Sequence, residues 1–140
     1  MGYALGATVD RPYETVLAQV RTALADQGFG ILTEIDLKAT MKAKLDAELA
    51  PQVILGACRP PLALAGLQAE PSIGLLLPCN VVVRSTDDQT TVVEALDPHT
   101  MVALTANPDL RPVADDASSR LAAALDSLTG EATEKECEEE

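Results

Sequence analysis

The residues best suited to covalent chemistry are two cysteines beside prolines, Cys58 in ACRPP and Cys79 in LLPCNVVV. A thiolate attacks electrophiles, carries sulfur and binds soft metals, and it forms more readily where positive charge or helix N-terminal N–H groups lower the thiol pKa. Cys58 falls where a strand stops and Pro60-Pro61 opens a helix, a junction that can gather backbone N–H groups, and Arg59 can add charge beside it. The competing reading makes both thiols small core hydrophobes, as free cysteines commonly are. If they face one cavity, they could hold a soft metal, a persulfide or a reactive small molecule. Two thiols fall short of the four ligands of a structural zinc site, and no metal is assigned. Cys137 is a tail thiol.

Glu34, Asp36 and Lys38 form a second constellation in TEIDLK. The two-residue period of a strand puts both carboxylates on one face, where they could share a proton or hold a hard cation. The alternative is a solvent face with Lys38 as a surface partner worth little. Lys38 would stand at the N-terminus of the next helix, the wrong end for a cation. Asn80, inside the apolar run PCNVVV, needs a partner for its amide from a backbone group, a dimer mate or a ligand. His99 is the only histidine and reads as a surface or capping residue, which excludes multi-histidine metal sites. The P-loop, G-x-G-x-x-G, C-x-x-C, H-E-x-x-H and G-x-S-x-G patterns are absent.

Composition narrows the function classes. The chain has 140 residues, a length that suits one domain. Ten basic residues against 22 acidic ones give a formal net charge of −12. The last stretch, TGEATEKECEEE, carries −5 of that and leaves −7 on the rest, so residues 129–140 are expected to be a disordered acidic tail after a single domain at 1–128. This balance argues against nucleic acid as a partner, since phosphate binding needs a cationic surface. Tyr3, Tyr13 and Phe29 are the only aromatics, too few to grip haem or flavin, and the cofactor stays unknown. The N-terminus lacks the basic and apolar regions of a secretory signal. The longest apolar run, residues 73–83, is shorter than the roughly 18 residues a membrane span needs. A cytoplasmic protein with reduced thiols and no membrane partner is expected.

These residues must be positioned by alternating strands and helices. A strand over residues 3–9 leads to a helix capped by Asp10, with Pro12 in its first turn, running to residue 27. Tyr13, Val16, Leu17, Val20 and Leu24 give that helix one apolar face, and Gly28 ends it. In residues 29–37 the period places Phe29, Ile31, Thr33, Ile35 and Leu37 opposite Leu32, Glu34 and Asp36. A short helix is predicted over 40–49, then an apolar strand over 52–58, a small helix over 62–69 and the strongest strand over 75–84. Asp87-Asp88-Gln89 reads as a hairpin loop before a strand at 90–96. A helical turn over 98–105 and a long helix over 112–128 complete the order β-α-β-α-β-α-β-β-α-α. The fold class is α+β, two-layer, with a largely antiparallel sheet and helices packed on one face. The other sheet face needs cover, and a homodimer contact is one solution.

The segments GFGILTEIDLKATMKAKL and ILGACRPPLALAGLQAEPSIGLLLPCNVVV, with Asp97-Pro98 and Met101 downstream, resemble the domain-of-unknown-function family DUF302. The likeness spans residues 2–128. It implies a small α+β domain seen as homodimers, and no established activity, substrate or catalytic residue. The residues it marks are Glu34, Asp36, Lys38, Cys58, Pro60, Pro61, Pro78, Cys79 and Asn80. Arg59 departs from the pattern, which more often has Asn there. Three functions fit. The first is a homodimeric module binding a small apolar or sulfur-containing molecule, in a pocket lined by Ile54, Leu75, Leu77, Cys58 and Cys79 with Glu34 or Asp36 at its mouth. The second is a thiol-dependent enzyme or sulfur carrier using Cys58. The third is a structural or regulatory dimer without ligand.

Overall fold

The structure is a computed structural model that describes residues 2–129; residues 130–140, with Cys137 and nearly all of the expected acidic tail, lie outside the described residues. Five runs rich in β-branched and small residues form the strands β1 (Ala4–Val9), β2 (Gly30–Asp36), β3 (Gln52–Cys58), β4 (Cys79–Asp87) and β5 (Thr90–Leu96). They pair in the order β1-β5-β4-β3-β2, every pair antiparallel. Five α-helices alternate with them: α1 (Tyr13–Asp26), α2 (Leu37–Leu45), α3 (Pro60–Ala69), α4 (His99–Thr105) and α5 (Arg111–Asp126). The α+β class and the antiparallel sheet agree with the sequence reading. No helix among the described residues is long and apolar enough to cross a membrane.

Alternation along the strands builds the core. Val53, Leu55 and Ala57 of β3, Val81 and Val83 of β4, and Val93 and Ala95 of β5 are buried on one face of the sheet. The helices α1 and α5 cover that face with Val16, Val20 and Leu24 from one and Ala117, Leu121 and Leu125 from the other, the three- and four-residue spacing of a helix stripe. Thr91 is the one buried polar residue among those described, and its hydroxyl donates to the Arg11 carbonyl at 2.9 Å. A satellite cluster of Ile73, Met101 and Leu110 lies under α3, α4 and two 3-10 turns, Pro71–Leu76 and Pro108–Leu110.

Local details differ from the sequence expectation for identifiable reasons. The strand expected over 75–84 begins only at Cys79, because Pro78 offers no N–H to a ladder and Pro71–Leu76 coils into a 3-10 turn. The helix expected over 40–49 is α2, which starts at Leu37 because the Asp36 side chain accepts from the Ala39 N–H at 2.9 Å. It ends where Asp46 takes a left-handed conformation. Asp10 does not cap α1; Pro12 occupies that position and makes no side-chain cap bond. In β2 a bulge at Leu32 shifts the register between Ile31 and Thr33. One extra residue reverses the faces of the rest of the strand. Glu34 and Asp36 therefore stand opposite Leu55 and Val53 on the helix-covered side, and Ile35 pairs with Ile54 on the uncovered side.

Gly56 lets the strands close where the site begins. It stands between Thr33 and Asn80 in the sheet, and a Cβ there would overlap the Thr33 hydroxyl and approach Pro78 Cγ to 2.7 Å. Gly56→Ala is expected to destabilise the domain by about 1–3 kcal/mol, the scale of overpacking a tight site. A urea midpoint unchanged from wild type would show that Thr33 and Pro78 yield freely.

Candidate functional site

The pairing of β3 with β4 sets Ala57 opposite Cys79, one position from Cys58. Strand β3 ends at Cys58 and α3 starts at Pro60, so the chain turns away from the sheet directly after the thiol. The space left under α3 is a cavity of about 30 Å³ lined by both Cys58 and Cys79. Leu62, Ala63 and Gly66 of α3 form one wall, with Ile73, Leu77 and Pro78 beyond it. Phe29, Met101, Val113 and Ala117 close it from the α1–β2 turn, α4 and α5. Arg59 is the one charged residue in this lining.

Burial pushes the Cys79 thiol above its ordinary pKa, and the neighbouring Cys58 adds to the rise. Cys79 is thus a neutral thiol near pH 7. The start of α3 does not gather free N–H groups as the sequence suggested. Pro60 and Pro61 carry none, and the N–H groups of Leu62 and Ala63 both donate to the Arg59 carbonyl at 3.0 Å. Positive charge at the cavity comes from Arg59 instead. Its Nε is buried and has no hydrogen-bond partner.

The remaining candidates lie elsewhere. Glu34 and Asp36 line a separate depression with Tyr13 and Arg21, toward the opposite end of β2 from the Cys58 pairing. Glu34 pairs with Arg21, Asp36 caps α2, and the Lys38 ammonium donates to the Leu49 carbonyl at 3.0 Å. Burial, then the charges of Asp36, Glu14 and Glu34, push the Tyr13 hydroxyl pKa up. No group of three or more His, Cys, Asp or Glu side chains suited to a metal forms among the described residues. Asn80 is exposed on the uncovered sheet face, in a depression with Tyr3, Val82, Glu94 and Leu96. Of the aliphatic residues expected around the thiols, Leu77 lines the cavity. Ile54 faces the other side of the sheet, paired with Ile35 and Val82, and Leu75 is 88% exposed. The α3, α4 and α5 contributions were missed, because they depend on long-range packing that no local period encodes.

His99 ties α4 to α5. Its Nδ1 lies 2.9 Å from Asp97 and its Nε2 2.7 Å from Asp115. The bonds to Asp115 and then Asp97 raise the imidazole pKa from 6.5.

The family model described as domain of unknown function DUF302 matches residues 5–128. A solved structure described as an uncharacterized conserved DUF302 protein from Bacillus stearothermophilus is similar, with a TM-score of 0.82 and 28% identity over 90% of this chain and 98% of that chain. No curated protein matches the chain.

Two measurements check the division of labour. Asp36→Ala is expected to cost about 1 kcal/mol through the lost cap and to leave alkylation of Cys58 unchanged; a changed alkylation rate would tie the acidic cluster to the thiol site. As the sole histidine, His99 gives a single imidazole Hε1 signal by NMR, whose midpoint is expected above 6.5 and lower in Asp115→Asn. Because the folded-state pKa is the higher one, stabilisation from His99 is complete below about pH 6.5 and is lost as pH rises through the raised value. A midpoint at or below 6.5 would contradict the two hydrogen bonds.

Proposed function

The chain belongs to the DUF302 family, and from that premise we propose that it is a homodimeric binding module whose thiol-lined cavity takes a small sulfur-containing molecule. The observation that carries this reading is the meeting of Cys58 and Cys79, from separate strands, in the wall of one apolar cavity. The volume limits the ligand. About 30 Å³ exceeds the roughly 10–15 Å³ that one water requires, but it is far below the ~300–1,000 Å³ of sites for drug-sized ligands. Only one or two heavy atoms of a ligand enter fully, and the rest stays at the mouth.

A single sulfur atom bonded to Cys58 suits that space, with the neutral Cys79 thiol beside it as a weak donor. This small volume also favours the reading of Cys58 as a sulfur carrier over a site for a bulky apolar ligand. Dimerisation is supported by the face of the sheet opposite α1 and α5. There Ile54, Val82, Val92 and Leu96 are only half-buried, and Ile35 is 45% exposed. Asn80 shares this face, where a second copy can supply the partner that its amide lacks among the described residues. A cytoplasmic location, which keeps thiols reduced, belongs to the same reading.

Native mass spectrometry of freshly purified protein tests it. The expected result is a dimer with a reproducible added mass that disappears in Cys58→Ala. A clean polypeptide mass in the wild type, dimeric or not, would contradict the ligand site.

A further inference from the structure

We infer that the molecule taken by this cavity is a small anion whose charged end is held by Arg59, an inference that rests on reading Cys58 and Cys79 as a ligand site. Arg59 stands apart from the other half-buried arginines. Arg11 donates to Gln19 and the Leu128 carbonyl, Arg21 pairs with Glu34, Arg84 with Glu94 at 3.4 Å, and Arg120 with Asp116 at 2.6 Å. The guanidinium of Arg59 has no such partner among the described residues, and its buried Nε makes no hydrogen bond. Acids are not scarce, with 22 in the chain, yet none of those described lines the cavity. Leaving a buried donor unpaired is costly, and an anion removes that cost with a charge-assisted hydrogen bond.

The seat of Arg59 is built by a neighbouring turn. Gly28, with φ +84°, ends α1, and a Cβ on it would lie 3.0 Å from Arg59 Nε. Bare backbone there leaves the guanidinium room beside the cavity. Because Arg59 and Cys58 line the same cavity, an anion held by Arg59 can present to the sulfur an electrophilic atom one or two bonds from its charge. Carboxylates and sulfur oxyanions share this chemistry. In both cases Cys58 loses its proton to solvent and its sulfur displaces a leaving group. With iodoacetate an S–C bond forms, the C–I bond breaks and iodide departs with the electron pair. With thiosulfate a bond forms to the outer sulfur, the donor S–S bond breaks and sulfite departs with the pair, leaving a persulfide on Cys58.

The test compares alkylation of Cys58 by iodoacetate and by its neutral analogue iodoacetamide, site by site through peptide mapping. The iodoacetate-to-iodoacetamide rate ratio is expected to be about tenfold higher in the native protein than in the urea-unfolded chain, the scale of one charge-assisted hydrogen bond. It should fall to the unfolded value in Arg59→Gln and survive in part in Arg59→Lys. A parallel incubation with thiosulfate separates the two anion sources: gain of one sulfur atom on Cys58, lost in Arg59→Gln, identifies a sulfur oxyanion, and no gain with the iodoacetate preference intact identifies a carboxylate. A native ratio no higher than the unfolded one overturns the role of Arg59, and this needs no variant to fold. Resistance of native Cys58 to both alkylating reagents overturns the thiol site itself.

Discussion

The register between β3 and β4 holds Ala57 against Cys79, and with it the ends of both strands and the departure of α3. A slip of β4 by one residue would turn Val81 and Val83 away from the helices and move Cys79 to the uncovered face. That slip is opposed by the core, since Val53, Leu55, Ala57, Val81 and Val83 all lie on the helix-covered side. Gly56 adds a second constraint, because only a residue without a side chain fits under Thr33 and Pro78 at this point. The same packing that stabilises the sheet therefore places the Cys79 thiol on the helix-covered side, at the end of β3 where α3 departs.

The chemistry of the cavity derives from the groups that the surrounding elements withhold. Two prolines at the start of α3 remove N–H donors, and the next two N–H groups are spent on the Arg59 carbonyl. The walls are almost wholly apolar, which keeps Cys79 protonated and leaves Arg59 as the local charge. No described acid lines the cavity, and Glu34 and Asp36 sit in a separate depression, one paired with Arg21 and the other capping α2. An acidic protein thus keeps Arg59 unpaired among the described residues at a cavity lined by two thiols.

Many of these features were legible in the residues. Alternation in β5 and the apolar run of β3 identified both strands, and the family resemblance pointed to the cysteines before any contact was visible. Other features depended on interactions that local patterns do not record. The extra residue at Leu32 reversed the faces of Glu34 and Asp36, and a strict two-residue period has no place for a bulge. The leucines at 75–77 suit a strand by composition, yet the prolines on both sides leave most of them in a 3-10 turn. Net charge describes the surface well and the site poorly. Arg59, read in the sequence as a charge beside Cys58 and as a departure from the family pattern, is the one charged residue that lines the cavity.

The most direct measurement of whether the two thiols share one site is a crystal structure of the protein after treatment with one equivalent of mercuric ion, which favours two thiolate ligands. The expected anomalous map has a single strong peak within bonding distance of both Cys58 and Cys79 sulfurs, under α3. Separate peaks on the two cysteines, or a peak on one with the other remote from it, would contradict a common cavity.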